Sequence, residues 1–178
     1  VEQLFTMPVT SNTSPIVALA KIGRLGVLKA LYGTLFITRF VKVESVDRGR
    51  EIGAPDALEI EWAIDEGWIK VGKLTRRQSL KIRRLVDEAD IGLGEAGALT
   101  LAKDRKMMAI LDDKEARAIA KSWNLEYTST VMVLYEAFVK NLISYDELIE
   151  DLAKLAKVMW ISTDVITEII KRAEKVRK

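Results

Sequence analysis

Short apolar segments alternate with helical patterns along most of the chain. The clearest apolar segment is MMAILDD, residues 107–113, which ends abruptly in two acids and is followed by the helical pattern KEARAIAKSWN. TLFITRFV, WIKV and LEYTST are further predicted strands, and an extended segment lies near the start. Strands that alternate with helices form parallel βαβ units, so we predict an α/β fold: a three-layer α/β/α sandwich with a central parallel sheet of four or five strands.

The sequence is interpreted as a single domain over residues 1–178. Its length is enough for one substantial core, and no linker, repeat or low-complexity tract interrupts it. Three helical patterns close the chain, and residues 144–178 are predicted to form a helical C-terminal extension. The chain opens at Val1, so residues 1–6 are interpreted as a non-native or disordered leader, with Met7 as the natural start.

Composition excludes several classes of chemistry. The chain has no cysteine and no histidine, which rules out disulfides, zinc sites of the Cys/His type and hydrolases that need a histidine base. The 28 basic and 26 acidic residues leave a net charge of +2, so bulk charge gives no strong reason to invoke nucleic acid. The absence of cysteine and of a long apolar run predicts a cytoplasmic protein with no membrane partner. Chemistry must come from carboxylates.

Several oxygen-bearing side chains follow predicted strands or open the helices between them. They are Asn12, Glu44, Glu95, Asp112 and Asp113. Ligands of open parallel sheets bind beyond the carboxyl ends of the strands, so we expect these side chains to converge. Converging carboxylates repel one another unless a cation such as Mg²⁺ or Mn²⁺ neutralises them, which points to metal-assisted phosphodiester hydrolysis.

Each of these residues also has a purely structural interpretation. Asn12 is suited to cap the helix that follows it, and Asp112 or Asp113 is suited to cap the next helix. Glu44 fits a solvated helical position. Glu95 fits the first turn of a helix, where the helix dipole favours an acid.

The segment GLGEAG, residues 92–97, matches the G-x-G-x-x-G pattern of dinucleotide-binding proteins, with Asp112 20 residues beyond Gly92. That pattern should follow a buried strand, whereas here it follows a charged helical pattern. Glu95 would also occupy the place of the pyrophosphate. A nucleotide-binding enzyme is therefore the third-ranked hypothesis, and a helix start that presents Glu95 is preferred.

Five blocks of the sequence together resemble a known family. In chain order they are SNTSPIVALAKIGRLGVLKALYG, GWIKV, LGEAGALTLA, AILDDKEARAIAKSWNL and LIS. This order resembles PIN-domain proteins, and more closely the VapC-like branch, in which the first block reads S-N/D-x-S-P-L/I and the last strand block L-L-D-D-x-x-A-R. The resemblance implies an Mg²⁺- or Mn²⁺-dependent ribonuclease with a parallel α/β/α fold. Such proteins are typically toxins of toxin–antitoxin pairs, and we expect a small antitoxin partner and a homodimer.

The resemblance also assigns site residues. The metal-binding positions of the family match Asn12, Glu44, Glu95 and Asp112, and the three acids are the expected catalytic residues. Asp113 stands beside Asp112 and is kept as an additional catalytic candidate that could substitute for it.

A second set of residues is predicted to bind the RNA substrate. Ser14 matches a small hydroxyl residue of the first block, and Arg117 matches the A-R of the block after the acids. Ser129 and Thr130 fall where the family has a small-residue turn near its pocket. Lys114, one helical turn from Arg117, could contact RNA phosphates or lie on a solvated helix face.

The first metal position departs from the common family pattern. Most PIN nucleases carry Asp where this chain has Asn12, and an Asn carbonyl coordinates a hard cation without adding negative charge. Metal affinity is therefore expected to be lower than at an Asp site. The second-ranked hypothesis is a weakly active or inactive PIN domain that binds RNA or a protein partner.

Overall fold

The computed structural model describes residues 7–177, and its centre is a five-stranded sheet in which every neighbouring pair is parallel. The strands are β1 (Val9–Ser11), β2 (Leu35–Thr38), β3 (Ile69–Gly72), β4 (Met108–Ile110) and β5 (Tyr127–Thr128), in the spatial order β3-β2-β1-β4-β5. The predicted parallel sheet is therefore confirmed. Residues 1–6, interpreted as a leader, lie outside the described residues.

Helices cover both faces of the sheet. They are α1 (Thr13–Lys21), α2 (Gly26–Tyr32), α3 (Arg39–Lys42), a π-helical turn (Val43–Asp47), α4 (Arg48–Glu51), α5 (Pro55–Asp65), α6 (Arg76–Ala89), α7 (Leu93–Arg105), α8 (Lys114–Ser122), α9 (Thr130–Val139), α10 (Tyr145–Val158) and α11 (Thr163–Val176). One apolar core joins the sheet to α1, α2, α5 and α9–α11, and a second core lies on the other face under α6–α8. None of the helices described is long and apolar enough to cross a bilayer.

Two local predictions were wrong. TLFITRFV is a strand only as far as Thr38, because the Thr38 hydroxyl accepts a hydrogen bond from the Val41 amide and so starts α3. The basic segment TRRQSLKIRRLVDEA predicts a helix with Leu80, Ile82 and Leu85 facing inward, but Leu80 is 58% exposed while Ile82 is fully buried. Residues two apart on a helix point to different sides, so Leu80 and Ile82 cannot share a face.

Glycines let α7 pass close to the strand ends. A Cβ atom on Gly97 would lie 2.8 Å from Cγ2 of the buried Thr38, and one on Gly94 would lie 3.2 Å from Oε2 of Glu44. The segment before Gly92 is helix α6 rather than a strand, so GLGEAG lacks the structural context of a dinucleotide fingerprint. The close approach of α7 explains these two glycines.

We expect Gly97→Ala to destabilise the protein by about 1–3 kcal/mol, because the added methyl group overpacks a buried contact. Gly26→Ala is the matched control, since a Cβ atom on Gly26, at the start of α2, would meet nothing within 4 Å. That control should be neutral or stabilising by up to about 1 kcal/mol. Urea unfolding of both variants measures the difference, and equal stabilities would contradict the packing argument.

Candidate active site

Asn12 lies at the carboxyl end of β1, and its side chain is fully buried. Its Nδ2 donates a hydrogen bond of 2.7 Å to Oε1 of Glu95. Although Asn12 occupies the cap position of α1, its side chain makes no capping hydrogen bond. Its Oδ1 is buried and has no hydrogen-bond partner among the described residues. The amide is therefore oriented toward Glu95 rather than toward the helix.

Glu44 lies on the π-helical turn Val43–Asp47, which follows α3 without a break. Its Oε2 accepts a short hydrogen bond from the hydroxyl of Thr13. Such π-helical segments are rare and often occur at functional sites. Sequence reasoning chose the neighbouring Ser14, which is exposed, and missed Thr13. The position of Thr13 directly after Asn12, at the end of a strand, was the available signal.

Glu95 occupies the first turn of α7, as the sequence predicted, and it is half-buried. A Cβ atom on Gly92 would lie 2.5 Å from Oε2 of Glu95, so this glycine leaves room for the carboxylate to turn back toward the helix start. The other carboxylate oxygen accepts the bond from Asn12. The first-turn position and the contact with Asn12 are thus compatible.

Asp112 lies just beyond β4 and is held by Thr130. Its carboxylate accepts hydrogen bonds from the Thr130 amide, at 2.9 Å, and from the Thr130 hydroxyl, at 2.6 Å. Burial raises the pKa of Asp112, and the two bonds from Thr130 and the charge of Arg117 lower it without cancelling the effect. Of the residues predicted to bind substrate, Thr130 and Arg117 therefore lie close to an acid of the site.

The other predicted residues occupy simpler positions. Asp113 accepts a hydrogen bond of 2.7 Å from the Ala116 amide and caps α8. Ser129 caps α9 through a bond from the Met132 amide. Lys114 is exposed at the start of α8. A catalytic role for Asp113 and substrate contacts for Ser14, Lys114, Arg117, Ser129 and Thr130 stay predictions.

Four of the predicted ligands, together with Thr13 and Thr130, form two neighbouring groups. One consists of Asn12, Thr13, Glu44 and Glu95, linked by the hydrogen bonds above. The other is Asp112 with Thr130, at the end of the adjacent strand, since Ser11 of β1 pairs with Ile110 of β4. Within residues 7–177, no three acidic side chains are close enough to form a metal site by themselves. Each acid instead accepts hydrogen bonds from its own neutral donor.

A family model described as a PIN domain (DUF3368) matches residues 8–175. The chain belongs to the PIN-domain family. The match includes both groups of site residues and continues through most of α11. No curated protein matches the chain. PIN domains are generally nucleases and typically use divalent metal ions, so the match assigns this chain to a nuclease fold family.

The donor atoms of these residues suit a hard divalent cation, although among residues 7–177 the acids are not gathered closely enough to hold one by themselves. All the candidate ligands are oxygens, three from carboxylates and one from an amide, which is the donor set that Mg²⁺ and Mn²⁺ prefer. The buried, unpartnered Oδ1 of Asn12 is the most direct indication. A buried carbonyl oxygen without a partner costs free energy, and a cation would satisfy it.

Proposed function

We propose that this PIN domain is a metal-dependent endoribonuclease that hydrolyses RNA phosphodiester bonds. The observation that carries the proposal is the unpartnered Oδ1 of Asn12, buried beside the Glu95 carboxylate. Glu44 reaches the same group through Thr13, and Asp112 lies at the end of the adjacent strand. The membership in a family of nucleases supports the reaction class.

Asn12, Glu44, Glu95 and Asp112 are the residues that would hold the cation. When bound, Mg²⁺ or Mn²⁺ supplies a water of lowered pKa and stabilises negative charge on the phosphate. The protein's own contribution is to orient the ligands. Asn12 Nδ2 fixes the Glu95 carboxylate, the Thr13 hydroxyl fixes Glu44, and Thr130 fixes Asp112. Hydrogen bonds from outer residues of this kind typically change metal affinity or activity by about 10–100-fold.

The proposal includes a biological setting, which rests on the resemblance to the VapC-like branch. In it, the protein is the cytoplasmic toxin of a type II toxin–antitoxin pair and forms a homodimer. A small antitoxin protein would hold the nuclease in check by covering the acidic groove.

The test is RNA cleavage by the purified protein, free of any partner. We expect cleavage with Mn²⁺ or Mg²⁺ and none in EDTA. Glu95→Gln and Asp112→Asn should each abolish it, because each change removes a charged metal ligand. Glu174→Gln is the matched control, since Glu174 is exposed on α11. That helix packs on the face of the sheet opposite to α7. An inert wild-type protein with both metals would overturn the proposal.

A second candidate is a PIN domain that binds RNA or a protein partner with little or no cleavage. The observation that favours it is Asn12, which brings a neutral amide to the first metal position and uses its Nδ2 to hold Glu95. Such a protein would bind RNA in EDTA and in Mn²⁺ alike, and it would leave the RNA intact.

A further inference from the structure

Helix α6 carries positive charge that the acid site does not use. Five cationic side chains fall between residues 76 and 84, and the first acid of the helix is Asp87. They are Arg76, Arg77, Lys81, Arg83 and Arg84. The helix dipole opposes cations in the first turn, so Arg76 and Arg77 are placed at some cost to helix stability. In a chain with a net charge of only +2, this concentration calls for a negatively charged ligand.

Two surface depressions flank the first half of α6. The first, of about 530 Å³, is lined by Arg76, Arg77, Leu80, Lys81 and Arg84. The second, of about 400 Å³, is lined by Arg39, Val71, Gly72, Lys73, Leu74 and Ser79. Every charged residue in both linings is basic. Leu80 supplies exposed apolar surface among the cations of the first.

The arginines of α6 are available for an external anion. Lys81 is bound by Asp104 at 2.9 Å, and Arg84 is a loose 4.0 Å from Glu88. Across residues 7–177, neither Arg76 nor Arg77 forms an ion pair, and both are exposed. An anion reaching this face would therefore not have to displace an internal partner of these two side chains.

The second depression connects this surface to the edge of the sheet that carries the acids. Arg39 directly follows the end of β2 and Lys73 directly follows the end of β3, just as Asn12 follows β1. Neighbouring strands lie about 4.8 Å apart, so the end of β3 is only two such spacings from the end of β1. Exposed cations thus extend from the acid site, across the ends of β2 and β3, to α6.

We propose that Arg39, Lys73 and the cationic face of α6 form a track that binds the phosphate backbone of single-stranded RNA beside the acid site. The proposal rests on the proposed nuclease function and adds how the substrate is held. Guanidinium groups bind phosphate through paired N–H bonds, and the cations offset the repulsion between RNA and the carboxylates. The exposed Leu80 offers a surface for a base, which only an unpaired strand can present freely. The cations continue to the edge of the sheet that carries the acids of the proposed nuclease. This favours RNA over an acidic protein segment as the ligand.

The test is the binding of a labelled single-stranded RNA in EDTA, followed by fluorescence anisotropy over a range of salt concentrations. The double variant Arg76→Gln/Arg77→Gln should bind on the order of tenfold more weakly at low salt. Its slope of log affinity against log salt should be shallower by about 1.4, since each phosphate contact to a single strand contributes about 0.7. Lys171→Gln/Lys175→Gln is the matched control, because it removes two exposed charges from α11 on the opposite face of the sheet.

The outcomes separate this proposal from the nuclease proposal. Unchanged affinity and slope in the Arg76→Gln/Arg77→Gln variant would overturn the track, as expected if α6 binds an acidic protein segment. Equal losses in the two double variants, or no RNA binding by the wild-type protein, would overturn it as well. RNA binding that depends on Arg76 and Arg77 without any cleavage in Mn²⁺ would support the track and count against the nuclease alone. Thermal unfolding by circular dichroism confirms that each variant is folded.

Discussion

Arg24→Met is expected to destabilise the protein by about 3–5 kcal/mol, because it leaves a buried carboxylate without its partner. Arg24 lies in the turn between α1 and α2, and its Nε donates a hydrogen bond of 2.6 Å to Oδ2 of Asp151 on α10. The Asp151 side chain is only 1% exposed. Arg24 also donates a hydrogen bond of 3.0 Å to Glu147, so one side chain holds α10 against the turn between α1 and α2.

The size of this loss should depend on pH. Burial raises the pKa of Asp151, and the hydrogen bond and charge of Arg24 lower it only in part, so removing Arg24 raises that pKa further. A carboxyl group whose pKa is higher in the folded state stabilises the fold at low pH and loses that contribution as the pH rises through the folded pKa. The deficit of Arg24→Met should therefore be largest near neutral pH and shrink toward the unfolded pKa of about 3.9.

Glu147 also makes the loss of stability in Arg24→Met smaller at low pH. The Ser144 amide and Arg24 lower the pKa of Glu147 to about 2, so its contribution is present above the unfolded pKa and is lost as the pH falls. The difference in free energy of unfolding between the wild-type protein and the variant thus becomes smaller in acid. Urea unfolding at a series of pH values measures both effects.

Lys29→Met is the matched control for Arg24→Met. It breaks the ion pair between Lys29 and Glu66, whose side chains are 54% and 61% exposed, and should cost at most about 1 kcal/mol. Similar losses in the two variants, or a deficit in Arg24→Met that grows in acid, would contradict the role assigned to the buried pair.

Asn12→Asp is expected to lower the stability of the metal-free protein and to raise its affinity for a divalent metal ion. Asn12 is fully buried, and its Nδ2 lies 2.7 Å from Oε1 of Glu95. In EDTA a carboxylate oxygen of the new Asp would take the place of Nδ2 and face this Glu95 oxygen. Losing the hydrogen bond and burying a second negative charge should destabilise the metal-free protein by about 1–3 kcal/mol. With Mn²⁺ the added charge should raise metal affinity on the order of tenfold.

Thermal unfolding with and without Mn²⁺ measures both parts of this prediction. The variant should melt below the wild type in EDTA, and Mn²⁺ should raise its melting temperature more than that of the wild type. Asn141→Asp adds the same charge at an exposed position, away from the site, and should show neither effect. A variant that melts like the wild type in EDTA and gains nothing from Mn²⁺ would contradict the placement of Asn12 at a metal position. RNA cleavage by the variant then tests whether Asn12 limits activity.

The sequence predicted the sheet well because strands depend on local pattern. MMAILDD combines an apolar run with an abrupt pair of acids, and this marks the end of a parallel strand without further information. The order of the strands places Asn12 and Asp112 at neighbouring strand ends. Asp113, which lies beyond β4 with Asp112, and Ser129, which follows β5, serve as helix caps.

Other features depend on contacts between distant parts of the chain, which no local pattern shows. Thr13 was missed because its hydroxyl meets Glu44 only when the π-helical turn brings that carboxylate over the end of β1. The reason for Gly97 is Thr38, which lies 59 positions earlier in the chain. Arg24 and Asp151 are separated by 127 positions, and neither residue stands out in its own segment.

These separations determine when, during synthesis of the chain, the residues of the candidate site can meet. Asn12 leaves the ribosome before its partner Glu95, which follows 83 residues later, and Thr130 must be synthesised before Asp112 is held. The buried pair that ties α10 to the first helices forms only after Asp151 has emerged. A nascent chain therefore carries Asn12 through 83 residues of synthesis before Glu95 is available to it. The candidate site is therefore completed only when segments that are distant in the chain meet.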